Sequence, residues 1–99
     1  MMKEITPQEV QQLLAGKQPI HLIDVRETDE IESGKIPGIT HIPLGLLEFK
    51  LQDLDKAKHY IVVCRSGGRS GRAVQLLDDH GYQAMNMVGG MMAWDGEIV

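Results

Sequence analysis

The residues with the most chemistry in them stand together, as Cys64-Arg65-Ser66-Gly67-Gly68-Arg69-Ser70-Gly71-Arg72. Before them, Tyr60 to Cys64 is dominated by β-branched residues and reads as a strand. After them, Gly68 to His80 has a helical pattern, with Ala73, Leu76 and Leu77 on one face and Gly81 as the stop. A thiol at a strand end facing a helix N-terminus meets unpaired backbone N–H groups and the positive end of the helix dipole. Helix N-termini and neighbouring cations lower a cysteine pKa from about 8.5 toward 7 or below, so Cys64 is expected to be largely thiolate. Gly67 and Gly68 allow successive N–H groups to point inward as an anion nest. Gly71 costs about 1 kcal/mol against Ala inside a helix, which implies a close approach of backbone or ligand.

Charge distribution points the same way. No carboxylate lies between Asp55 and Asp78, whereas Lys56, Lys58, Arg65, Arg69 and Arg72 all do. A lone cysteine ending an apolar strand is commonly just a small core hydrophobe. Three arginines at a helix start are disfavoured by the dipole, however, and are poorly explained as solubility residues. An anion cradle with a nucleophile at its base explains them. His59 is the nearest preceding histidine, five residues away at the strand start, so a Cys-His pair has no local support. A thiolate attacking an anionic substrate fits sulfur transfer or phosphoryl transfer. Phosphomonoester cleavage needs an acid for its leaving alkoxide, and no Asp or Glu lies in or beside the loop in sequence. Sulfite leaving from thiosulfate needs none, so sulfur transfer is favoured.

The elements that must position this loop alternate. Glu4-Ile5 is a short extended piece, and Thr6-Pro7 opens a helix carrying Val10, Leu13 and Leu14 that stops at Gly16. Ile20 to Val25 reads as a buried parallel strand, and Glu27 to Glu32 as a short acidic helix ended by Ser33-Gly34. Ile39 to Leu44 is a weaker strand, placed near an edge by Pro43. Leu46 to Leu54 is expected to be a short helix, Ala84 to Val88 a last strand and Met91 to Trp94 a terminal turn. Such alternation with short connections predicts an α/β fold, a small parallel sheet with helices on both faces. Its binding site lies outside the carboxyl ends of the strands, where Cys64 falls.

Composition sets the outer bounds. Ninety-nine residues make one domain, 1–99, with a folded surface of roughly 5,600 Å². The net charge of −4 argues against nucleic acid as a partner, because phosphate contacts need spare cations. A single cysteine excludes an internal disulfide, and the histidines at 21, 41, 59 and 80 lack metal-ligand spacing, so no cofactor or metal is expected. No apolar run is long enough for a membrane span, and the polar start Met1-Met2-Lys3-Glu4 reads as lacking a secretory leader. A cytoplasmic protein is expected.

With these residues in view, the chain resembles the single-domain rhodaneses, which are sulfurtransferases. Four blocks carry the likeness: Asp24-Val25-Arg26-Glu27; Gly34-Lys35-Ile36-Pro37-Gly38 through Ile42-Pro43-Leu44; Cys64 to Ser70; and Gly89-Gly90 with Ala93-Trp94. The resemblance implies a six-residue loop, Cys64 to Arg69, as in sulfurtransferases. Phosphatases and arsenate reductases of the same fold use a loop one residue longer. It also implies a two-step reaction, in which Cys64 takes the outer sulfur of thiosulfate as a persulfide and passes it on. The acceptor would be cyanide or a thiol, including a thioredoxin-like or other protein thiol. Backbone N–H groups from Arg65 to Arg69 would hold the persulfide, and the Arg65 and Arg69 side chains would orient the anion. Ser66 and Ser70 would donate hydrogen bonds, with Ser70 equally able to cap the helix, and Arg72 would be peripheral. Asp24 and Arg26 would be structural, with Glu27, Glu30 and Glu32 as candidate partners of Arg26. Met85, Met87, Met91 and Met92 are expected to be core or pocket wall.

Three competing readings remain. Cys64 could relay sulfur between proteins as a carrier charged by a protein persulfide. The loop could serve a phosphatase or arsenate reductase. The domain could bind anions without catalysis, although Cys64 itself weakens that.

Overall fold

A computed structural model describes residues 3–99, so the reading of the polar start falls partly on Met1 and Met2, outside the described residues. Five strands form one all-parallel sheet in the order β1-β5-β4-β2-β3. These are β1 (Glu4–Ile5), β2 (His21–Asp24), β3 (Thr40–His41), β4 (His59–Val63) and β5 (Gln83–Met87). The helices are α1 (Pro7–Ala15), α2 (Thr28–Ile31), α3 (Leu44–Leu47) and α4 (Gly68–Asp79), with 3-10 segments at Glu48–Asp53 and Gly90–Ala93. Thr6 caps α1 through a reciprocal box with Glu9, and Pro7 sits at its first position, as the sequence predicts.

Side-chain alternation along the strands divides the interior in two. Ile23, Tyr60, Val62, Cys64 and Ala84 face Ala73, Val74 and Leu77 of α4 and Leu47 of α3. Leu22, Ile61, Val63 and Met87 face Val10 of α1, with Ile36, Met91 and Trp94 completing that side. The expected layers on both faces are present, and the accessible surface is 5820 Å². Met87 is fully buried and Met85 and Met91 pack against the same core, whereas Met92 is 72% exposed.

Three elements differ from the sequence expectation. The strand expected over Ile39 to Leu44 is only Thr40–His41, at the edge, because the chain leaves the ladder at Pro43, the N-cap of α3, and Leu44 is already helical. The helix expected over Leu46 to Leu54 starts earlier and tightens into 3-10 turns after Leu47. Leu44, Leu47, Leu51 and Leu54 all pack on the core, and their 3-4-3 spacing falls between 3-10 and α periodicity. The acidic helix runs only from Thr28 to Ile31, because Glu27 is its extended N-cap. Among the described residues, no helix is long and apolar enough to cross a membrane.

Candidate active site

Cys64 follows the last residue of β4 and keeps the phase of Tyr60 and Val62, so its side chain points toward α4. The residue is only 1% exposed. Gly67 turns the loop with φ +110°, a conformation that L side chains rarely adopt, and serves as N-cap of α4. Its N–H thereby points back at Cys64 Sγ, 3.0 Å away. Ser70, one turn into α4 and fully buried, places Oγ 3.2 Å from the same sulfur.

The loop is clamped from behind. Met91 N–H donates to the Cys64 carbonyl at 2.8 Å and Met92 N–H to the Arg65 carbonyl at 2.9 Å. This contact requires Gly90, where a Cβ would lie 2.6 Å from the Arg65 carbonyl carbon. The Gly89-Gly90 pair thus has a mechanical role, which is to let the 3-10 turn after β5 seat against the cysteine loop.

Burial pushes the Cys64 thiol up, but the Ser70 hydroxyl and the backbone N–H groups of Ser70, Gly67 and Ser66 together outweigh it, leaving the pKa below its ordinary value. The expected lowering therefore occurs, although its leading causes are hydrogen bonds and not the three arginines. Ser70 also donates to Asn86 Oδ1 at 2.5 Å, and Asn86 Nδ2 donates to the Gly67 carbonyl at 3.1 Å. One hydroxyl proton cannot serve both neighbours. It goes to Asn86 while Cys64 is a thiol donating to Oγ, and it turns to Sγ when Cys64 is a thiolate.

The structure brings Cys64, Gly67 and Ser70 into direct contact and leaves Arg65, Ser66 and Gly68 exposed on the rim. Arg72 is exposed on α4. Arg69 is engaged elsewhere: its Nη1 and Nη2 donate to Glu30 Oε1 and Oε2 at 2.6 and 2.7 Å. Arg69 holds the Glu30 carboxyl down at about 2, helped by a hydrogen bond from the Glu27 N–H. Glu30 in turn raises the Arg69 pKa further above its already high value.

Two sequence readings are corrected here. A carboxylate does stand beside the loop, brought from 39 residues away by the fold. Held ionised, it cannot serve as an acid at neutral pH, so the objection to phosphomonoester cleavage survives on a different ground. Arg26 pairs with none of the Glu27, Glu30 or Glu32 carboxylates. Its partner is Asp24, through Nε and Nη2 at 3.0 and 2.8 Å, and both residues are buried. Asp24 Oδ1 also accepts the Arg26 backbone N–H at 3.0 Å, which makes the pair structural as expected.

Sequence reasoning missed Asn86 at the site and gave Glu30 the wrong partner. Asn86 carried a signal, because it shares the phase of Ala84 in β5 and is a polar residue inside an otherwise apolar alternation. Glu30 carried none that links it to Arg69.

The whole of residues 6–97 matches the family model described as Rhodanese-like domain. The chain is 42% identical over 96 residues to the Bacillus subtilis protein named "Putative sulfurtransferase YtwF", covering 97% of this chain and 93% of that one. It is 34% identical over 95 residues to "Putative sulfur carrier protein YrkF" of the same organism, covering 95% of this chain but 51% of that protein. Its fold matches the crystal structure of a rhodanese-like domain protein from Staphylococcus aureus with a TM-score of 0.92 and 36% identity, over 97% and 94% of the two chains. The family-model match over residues 6–97, with YtwF and the Staphylococcus aureus domain each matched over nearly their whole length, makes the chain a member of the rhodanese-like domain family.

Proposed function

We propose that this protein is a sulfurtransferase that carries the terminal sulfur of thiosulfate, or of a persulfide donor, on Cys64 and delivers it to cyanide or a thiol. The observation that carries this reading is the Gly67 N–H donating to Cys64 Sγ at 3.0 Å at the base of a six-residue loop. An oriented donor there stabilises a thiolate before reaction and sulfur-borne charge after it. The likeness to YtwF and YrkF, named as a putative sulfurtransferase and a putative sulfur carrier protein, supports sulfur transfer as the general class.

In the first step the Cys64 thiolate attacks the outer sulfur of thiosulfate. A new S–S bond forms, the old one breaks, and its electron pair leaves on sulfite. The persulfide retains one negative charge, matched by backbone N–H groups from Arg65 to Arg69. In the second step cyanide or a thiolate attacks the outer sulfur, and Cys64 departs as thiolate. Neither step needs a proton donor, which suits a site whose nearby carboxylate is ionised.

The carrier reading has one observation in its favour. With Arg69 taken by Glu30, the loop has fewer groups to capture a free oxyanion, and a donor protein would supply its own binding energy. Intact mass tests both. Wild type incubated with thiosulfate should gain one sulfur atom, lose it to cyanide, and show neither change as Cys64→Ser. No gain on folded, reduced protein would overturn the thiosulfate reading, and charging only by a persulfide-bearing protein would establish the carrier.

A further inference from the structure

Arg69 carries one of the loop's two planar forks suited to an oxyanion, and that fork is already closed on a carboxylate. The closure is built rather than incidental. Glu30 Oε1 accepts the Glu27 N–H at 2.9 Å, and the Glu30 carbonyl accepts Arg26 Nη1 at 3.3 Å. Arg26 Nη2 also donates to the Gly34 carbonyl at 2.8 Å, so a buried arginine grips the backbone at Glu30 and just beyond the end of α2. Glu30 is thereby held at both its carbonyl and its carboxylate.

The consequence is electrostatic. Arg69 and Glu30 cancel, and among the described residues Arg65 is the loop cation at the rim that makes no ion pair. A donor approaching Cys64 therefore meets a thiolate and backbone dipoles beside an arginine whose charge a carboxylate already offsets. Coulomb energy scales with charge, so a dianion is penalised by Glu30 twice as much as a monoanion at the same distance.

We propose that Glu30 is a specificity-determining residue of the Cys64 site, which by occupying the Arg69 fork sets the loop to take singly charged sulfane-sulfur donors in preference to doubly charged ones. The inference rests on Cys64 being a persulfide-forming nucleophile. It narrows the donor class: thiosulfate is a competent but disfavoured donor, and a thiosulfonate or persulfide monoanion is the matched one.

Two donors separate charge from chemistry. Thiosulfate is a dianion and loses sulfite. Methanethiosulfonate is a monoanion and loses methanesulfinate. In both, the thiolate attacks a terminal sulfur, one S–S bond breaks, and the leaving group takes the electron pair. With cyanide as common acceptor, Glu30→Gln should raise kcat/KM for thiosulfate about tenfold, mainly through KM, and for methanethiosulfonate only about threefold. The thiosulfate-to-thiosulfonate ratio therefore rises about threefold, and the gain shrinks as ionic strength is raised. Glu30→Ala, which removes the acceptor altogether, must move the ratio the same way and serves if Glu30→Gln does not fold.

An unchanged or lower ratio, with persulfide still forming, would overturn the inference and leave Glu30 a scaffold residue. If neither donor adds sulfur to wild-type Cys64, the persulfide reading itself fails, and the inference goes with it.

Discussion

Two arginine–carboxylate pairs meet at α2, and they differ in almost everything but their chemical groups. Arg26 and Asp24 lie two residues apart at the end of β2, with side chains 6% and 0% exposed. Arg69 and Glu30 lie 39 residues apart, with side chains 28% and 25% exposed. The first pair has no access to solvent or substrate and spends its remaining donors on the Glu30 and Gly34 carbonyls. The second joins α2 to the first turn of α4, beside the cysteine loop, and is partly open to solvent. Burial therefore decides the role: the same ion pair is framework in one place and an adjustable charge in the other. They are also connected, since Arg26 holds the backbone of the residue whose carboxylate holds Arg69.

The comparison breaks most readily at its buried end. Arg26→Ala would leave Asp24 an uncompensated buried charge and remove the side-chain donor from the Gly34 and Glu30 carbonyls, of which Glu30 keeps the Ser33 N–H. The expected loss is about 3–5 kcal/mol of unfolding free energy, measured by urea denaturation. A loss below about 1 kcal/mol would mean that the buried pair is no more a framework than the exposed one.

Much of this arrangement was legible in the sequence, for reasons that particular residues make clear. Cys64 at the end of a β-branched strand, followed by glycines and a helix, placed the thiol at the carboxyl edge of the sheet, and Pro43 placed β3 at the border. These are local signals of propensity and phase. Asp24 and Arg26 looked structural, but Arg26 was given partners along α2 when its true partner is two residues behind it in β2. The Arg69–Glu30 pair was out of reach altogether, because it exists only once β2 and β4 lie side by side and bring the segments after them together. Pairings created by strand order leave no trace in spacing.

The same contrast between buried and exposed interactions should hold for the thiol. Its leading stabilisers are Ser70 and backbone N–H groups, not the rim arginines. Ser70→Ala should raise the Cys64 pKa and, on the rising limb of the pH–rate profile, slow alkylation by iodoacetamide about tenfold, one hydrogen bond to a charged group being worth about 1.5 kcal/mol or more. Arg65→Gln should change that rate by less than about twofold, because an exposed charge is screened. Equal effects of the two substitutions would show that rim charge controls the thiolate after all.

The smallest effect concerns the exposed pair as a source of stability. Glu30→Gln should change unfolding free energy by no more than about 1 kcal/mol at neutral pH, since partly exposed ion pairs are weak. Its pH dependence has a definite sign. The Glu30 carboxyl is held below its unfolded value of about 4.3 by Arg69, and solvent screening of this partly exposed pair keeps the linked stability within the same bound. Its contribution is thus fully present above the unfolded value and is lost as pH falls toward the folded one. The gap between wild type and Glu30→Gln should accordingly be constant from neutrality to about pH 5 and close as pH falls below about 4. A gap that stays open through that range would mean that Glu30 stabilises the fold by shape, through the cap it forms with Glu27, and not by its charge on Arg69.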